Sequence, residues 1–293
     1  LFVLFRIASL FFFFISDLLW IKPIKSGLPN YVLIFIRSIL TTAIFSLIWI
    51  TAAQFFNDEC INQQFLKRSY PDDFGFYAKA VTICLFSFWG LYFFTSSLKL
   101  NKFVFVAPLA NLGFIFTILT SFWIYNTPIS ITQIAALVLF GLTVVVVLKQ
   151  IPFNEFKLLV IPIVLTHFFW DTAVVFYPLV INKIGVLPFC LLMEICVMIS
   201  SGILVLINLK DISWYTVKKY LATAVIMAII LCVAVFLFSL SLVSLSVIVV
   251  VTLGLLTKLI RLIYGYLVLK ERLNSKELII LFLMIAGGVL ASL

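Results

Sequence analysis

The stretch SLSLVSLSVIVVVTLGLLTKLIRLIYGYLVLKERLN, Ser239 to Asn274, decides how the rest of the chain is read. Its centre is an apolar run longer than the about 20 residues a helix needs to cross a bilayer. Yet Lys258 and Arg261 lie inside that run. A cation at the centre of a spanning helix costs about 2.5–3.5 kcal/mol on insertion scales, so such residues face the interior of a helix bundle and find partners. Three residues apart, the two share part of one helix face. Lys258 lies about 18 Å along the axis from the Lys270 corner, at about 1.5 Å per residue, too deep to reach water along the helix.

The stretch has a counterpart upstream. SLKLNKFVFVAPLANLGFIFTILTSFWIYNTPIS, Ser97 to Ser130, has the same layout: Ser-Leu, a polar break, a long apolar span and a polar corner. Each is followed by one last Gly-containing span, ending FGLTVVVVLK in the first case and AGGVLASL in the second. Working outward, ten apolar runs of spanning length emerge: Leu1–Trp20, Tyr31–Ala53, Phe74–Ser97, Phe103–Tyr125, Ile129–Leu148, Leu158–Pro178, Leu187–Asn208, Lys219–Leu240, Leu245–Leu269 and Glu277–Leu293. Ten runs and one repeated layout predict an all-α membrane fold of ten transmembrane helices in two five-helix repeats, residues 1–150 and 151–293. An odd number of spans per repeat inverts the second half, the plan of many secondary transporters, whose substrate sits near mid-membrane at the repeat interface.

Composition agrees with the class. Of the 293 residues, 65% are hydrophobic and only 11% charged, against about 45–50% and about 25% in soluble domains. Mean hydropathy is +1.29. The net charge of +9 resides mostly in short loops, so it reads as topology signalling and not as a nucleic-acid surface. Trp20, Trp49, Trp123 and Trp214 fall near span ends, as an interfacial belt does. The abundant Phe residues read as lipid-facing bulk. Five cysteines are scattered without a C-x-x-C pair or a Cys/His cluster and read as packing residues.

Several motifs resemble a known family. The corner LVLKERLNSKELIILFLMIAGGVLAS is similar to the ending of the drug/metabolite transporter superfamily in its ten-span EamA-like branch. SLKLNKFVFVAPLANLGFIFTIL, with Ala107-Pro108-Leu109, resembles that branch's fourth span. LPNYVLIFIRSIL resembles its second, where an Arg follows a Pro by about eight residues; here these are Pro29 and Arg37. There are departures. The first-repeat corner, Asn126-Thr127-Pro128, lacks the acidic residue, and Lys258 stands where the branch usually has Pro. In that respect the ninth span looks like the nucleotide-sugar branch, whose Lys at a similar place serves phosphate-bearing substrates. The resemblance implies alternating access, a small-molecule substrate, a bacterial plasma (inner) membrane and cytoplasmic termini. Basic loop residues favour the opposite orientation, so orientation stays open, as does homodimer formation.

The charges inside the spans supply the candidate site. Among the cations are Arg6, Arg37, Lys258 and Arg261; among the anions are Asp17, Asp171 and Glu194. Lys258 and Arg261 read as a cationic pocket for a phosphate or carboxylate, with Arg261 giving a bidentate fork. The plainer reading pairs them with Glu194 or Asp171. His167 and Asp171, four residues apart in THFFWDT, share a helix face and read as a proton site. Glu194 is either a proton carrier or the partner of Lys258. Arg37, Trp170 and Asn111 are the further candidates for binding substrate: Arg37 by its second-span position, Trp170 by stacking on a ring, Asn111 as an amide donor. Their plainer readings are ion pairing, packing and interhelical hydrogen bonding. Arg6, near a span end, reads as a lipid-headgroup contact.

No nucleophile elbow, phosphate-binding Gly-rich loop or H-E-x-x-H occurs, and the only His is His167. The expectation is therefore a carrier and not an enzyme, with no cofactor and no metal. The alternatives are an exporter of amino acids or amphiphilic drugs with structural buried charges or, in a different class, an intramembrane enzyme or a channel.

Overall fold

In hydrocarbon no water is available to backbone N–H and C=O groups, so an apolar run satisfies them by coiling into a helix. The computed structural model describes residues 1–55, 73–100, 112–126, 128–149, 160–268, 270, 279, 282–283, 286–288 and 290. Among these there is no strand. The helices are α1 (Phe2–Lys25), α2 (Asn30–Phe55), α3 (Phe74–Leu100), α4 (Leu112–Tyr125), α5 (Ile131–Leu148), α6 (Ile161–Ile184), α7 (Val186–Ile207), α8 (Trp214–Ser244) and α9 (Val247–Leu267). Residues 279, 282–283, 286–288 and 290 are helical as well. Among the described residues six helices, α1, α2, α3, α6, α7 and α8, are long and apolar enough to cross a bilayer, and α4 and α5 are shorter apolar helices. The chain is an all-helical, multi-pass membrane protein.

Helix ends follow local chemistry. Ser213 and Ser246 cap α8 and α9, their hydroxyls accepting from the N–H groups of Thr216 at 3.5 Å and Val249 at 3.4 Å. One residue, Gly185 at φ +88°, separates α6 from α7. That left-handed conformation favours glycine because it has no Cβ to clash. Pro178 lies inside α6 and Pro23 in the last turn of α1, and both helices continue past them. The apolar runs placed the ends at Pro178 and Trp20; in a bundle, neighbouring groups replace the one backbone bond a proline removes.

The described chain forms two compact units. The first comprises Leu1–Tyr92 and Phe176–Leu245, the second Phe93–Val175 and Ser246–Leu293. Each therefore draws on both halves of the sequence. In the first unit α1 packs on α8, and α2 packs on both α7 and α8. Its core is aromatic, with Trp20, Phe45, Phe88, Tyr177 and Phe189 all buried. Gly202 lets α7 approach α2, since a Cβ there would lie 2.9 Å from the Phe35 ring. In the second unit α4 packs on α5 and α9. Phe114 and Phe140 meet edge to face at 5.0 Å, and Gly287 lies so close that a Cβ would fall 2.6 Å from Phe140.

Two sequence readings change here. Trp20 is core and not belt, because the helix runs on beyond it and carries it inward; Trp123 and Trp214, by contrast, are exposed at helix ends. The phenylalanines are divided between core and surface, because a run such as Phe11–Phe14 points to every side of a helix. Thus Phe11 is exposed and Phe14 buried.

Candidate functional site

The fold brings Arg37 on α2 to Glu194 on α7. Arg37 Nη1 donates to Glu194 Oε1 at 2.8 Å and to Oε2 at 2.6 Å. Both residues are buried, at 2% and 3% exposure. Thr41 lies one turn beyond Arg37 on the same face. Its Oγ1 is 2.6 Å from Glu194 Oε2 and more than 3 Å from the carbonyls of Arg37 and Ser38. A hydroxyl has one proton, and the short contact to the carboxylate is where it bonds best. The pair is lopsided from the arginine side. Both contacts run through Nη1, and the buried Nε–H finds no acceptor among the described residues. A guanidinium that gives a full fork to one carboxylate uses two nitrogens; this one keeps a donor in reserve.

Thiols border the pair. Cys232 Sγ lies 3.9 Å from the Thr41 carbonyl, and Cys190 Sγ lies 3.4 Å from Ser239 Oγ. Cys84 and Cys196 lie in α3 and α7. All four are free and buried. Among the described residues no group of three or more His, Cys, Asp or Glu side chains could hold a metal.

A second polar pair lies in the other unit. His167 Nδ1 and Asp171 Oδ2 of α6 are 2.7 Å apart, at 13% and 20% side-chain exposure. The i, i+4 spacing alone predicts this contact. Gly113 of α4 makes room for it, because a Cβ there would overlap the Asp171 carboxylate. The flanking rings of THFFWDT are occupied within the protein. Phe169 stacks on Phe93 at 5.9 Å, Phe168 meets Phe116 edge to face at 5.6 Å, and Trp170 tilts against Phe94 at 5.9 Å.

Of the residues singled out from sequence, the structure thus joins Arg37 to Glu194 and His167 to Asp171. Trp170 is half-buried beside Phe94. Lys258 and Arg261 lie on the backbone of α9, but their side chains fall outside the described residues, as does the whole of Asn111. Arg6 does not reach for headgroups. It is buried, donates from Nη1 to Ser9 Oγ at 3.2 Å, and sits 4.8 Å over the Phe238 ring. The packing of α8 on α1 supplies that ring, which the first span alone does not reveal. Thr41 and Gly113 went unread in the sequence. The signal for Thr41 was a hydroxyl one turn from a mid-span arginine; Gly113 had none, because its role depends on a neighbouring helix.

No family model matches the chain, and no curated protein matches it. A solved structure described only as "Crystal structure of protein" is similar to it, with a TM-score of 0.67 and 14% identity, covering 99% of this chain and 95% of that one. At that identity the likeness is one of fold.

Proposed function

We propose that the chain is a secondary transporter that moves a small anionic organic metabolite by alternating access, coupled to protons. The observation that carries this reading is the buried Arg37–Glu194 pair with its spare Nε–H. One member comes from each half of the sequence, as a carrier built on two inverted repeats places its site. A buried pair is weak as a stabilising device, since an apolar pair of similar volume commonly does as well or better. A role in binding accounts better for its presence. In this reading Glu194 and the substrate's carboxylate or phosphate alternate on Arg37. A proton arriving on Glu194 neutralises the competitor and frees the guanidinium for the substrate. Lys258 and Arg261 would supply further positive charge in the second unit, and His167 with Asp171 a second proton site. The likeness of the chain's motifs to the EamA-like branch supports the same class.

Uptake into proteoliposomes tests it. With an imposed pH gradient, the wild-type chain is expected to accumulate a labelled organic phosphate or carboxylate identified by ligand screening. Glu194→Gln is expected to lose gradient-driven accumulation and keep substrate exchange between the two sides. If Glu194→Gln loses both while remaining folded, Glu194 is not a coupling residue. If Arg37→Gln transports normally, the binding role of Arg37 is lost.

A further inference from the structure

Glu194 needs different partners in its two protonation states. Ionised, a carboxylate only accepts hydrogen bonds; protonated, it also has one O–H to donate. Arg37 serves the first state alone, because a guanidinium has no acceptor. A protonated Glu194 therefore needs an acceptor from elsewhere, and at 3% exposure it is cut off from bulk water. Thr41, itself at 0% exposure, stands where that acceptor is required. Its Oγ1 lies 2.6 Å from Glu194 Oε2, 3.1 Å from the Ser38 carbonyl and 3.2 Å from the Arg37 carbonyl. The helices packed on α7 are α2 and α8. The titratable side chains they bring to this place are Arg37 and the Cys232 thiol, the latter against the Thr41 carbonyl. On α7 itself the Cys190 thiol lies one turn before Glu194. Cys84 of α3 and Cys196 of α7 are the other buried thiols described in this unit. Thiols carry no charge at acidic pH, so Arg37 is the charge that Glu194 has to leave.

A hydroxyl carries one proton and two lone pairs. With Glu194 ionised, the Thr41 proton points to the carboxylate, since a bond to a charged acceptor is about twice as strong as a neutral one. With Glu194 protonated, the same oxygen accepts the acid's O–H, and its own proton turns to the Ser38 or Arg37 carbonyl. Both carbonyls are already within hydrogen-bond distance. The reversal is thus a rotation about the Cβ–Oγ1 bond and moves no heavy atom of Thr41. A methyl group at this place offers no polar atom, and an ammonium offers no lone pair. From this geometry we infer that Thr41 is a positioning residue for the proton step, donating to Glu194 when it is ionised and accepting from it when it is protonated. In that step one proton joins the carboxylate, and the bonds from Arg37 Nη1 to Glu194 break. The carboxyl then leaves Arg37 without an unmet hydrogen bond of its own. The inference rests on the carrier reading and names the residue that lets its site change state.

Infrared difference spectroscopy of the full chain in lipid tests this without any substrate. Acidification is expected to bring up the carboxylic C=O band of Glu194, assigned by its loss in Glu194→Gln. In Thr41→Val the acid loses its acceptor, and the band is expected to shift to the higher wavenumber of an acid without a hydrogen bond. Thr41→Ala, the second variant should the valine not fold, is expected to shift it the same way. Thr41→Ser retains the hydroxyl and is expected to keep the wild-type band, although it lacks the methyl group; a role in packing alone would not produce that order. A band unmoved in Thr41→Val and Thr41→Ala overturns the role given to Thr41 and leaves the carrier standing. Absence of a Glu194 band at every pH at which the chain stays folded also overturns it, and proton coupling at Glu194 with it. Bands that behave as expected in a chain without gradient-driven uptake uphold the role of the hydroxyl and sink the carrier reading alone.

Discussion

Arg37, Glu194 and Thr41 form one electrostatic unit, and removing its members one at a time separates their contributions. Glu194→Ala leaves a buried guanidinium without its counter-charge, and a broken buried pair costs about 3–5 kcal/mol. The double variant Arg37→Leu/Glu194→Leu is expected to recover most of that loss, because two apolar side chains carry no desolvation penalty. Denaturation in detergent of Arg37→Leu, Glu194→Leu and the double measures the coupling; additive losses would show that the two side chains do not interact. Thr41→Val keeps the shape and removes the donor. A hydrogen bond to a charged group contributes about 1.5–3 kcal/mol, so a loss in that range is expected in the same assay. Gly113→Ala forces a methyl group into the space of the Asp171 carboxylate. Overpacking of that kind costs about 1–3 kcal/mol, and the His167 imidazole resonances are expected to move, since the 2.7 Å contact to Asp171 has to shift. Unchanged resonances would mean that α4 yields and the pair does not.

At the scale of elements, close approaches and caps do the positioning. Gly287 lies against the buried ring of Phe140, itself packed on Phe114. Gly202 lies against the ring edge of the half-buried Phe35, which has room to swing. Gly287→Ala is therefore expected to cost more than Gly202→Ala, about 1–3 kcal/mol against less than about 1, in thermal melts of the purified chain. The reverse order would show that Phe140 is the more mobile ring. For α1, α2, α3, α6, α7 and α8 the helix was legible in the sequence, because an apolar run longer than about 20 residues satisfies its backbone in hydrocarbon by coiling. Helix ends were less so. The run Lys219–Leu240 extends in the structure to Trp214–Ser244, since Ser213 caps a polar first turn that hydropathy does not count. Ser246→Ala, at the start of α9, is expected to fray the first turn at a cost of about 1 kcal/mol, read by hydrogen exchange of the Val249 amide.

For the whole molecule, the organisation is two units, each assembled from both halves of the sequence. This places Arg37 and Glu194, 157 residues apart, in the same unit. The gradient-driven uptake lost by Glu194→Gln is a prediction at this scale, because it depends on one carboxylate being offered in turn to a proton and to Arg37. The candidate site was half legible. His167 and Asp171 followed from their four-residue spacing, whereas Glu194 had two open readings, neither naming Arg37.

The sequence by itself determined the class: an apolar, multi-pass helical chain with ionisable groups held in its spans. It also determined which residues share a helix face, because 3.6 residues per turn is a property of the backbone and is not altered by neighbours. Only the tertiary structure decided which faces meet. Arg37 had several acidic candidates at bilayer depth, and the choice of Glu194 depends on α2 and α7 packing antiparallel in register, with Gly202 yielding space to the Phe35 ring and Thr41 completing the carboxylate's bonds. Such contacts are set by the shapes of whole helix surfaces, which no single run of residues contains.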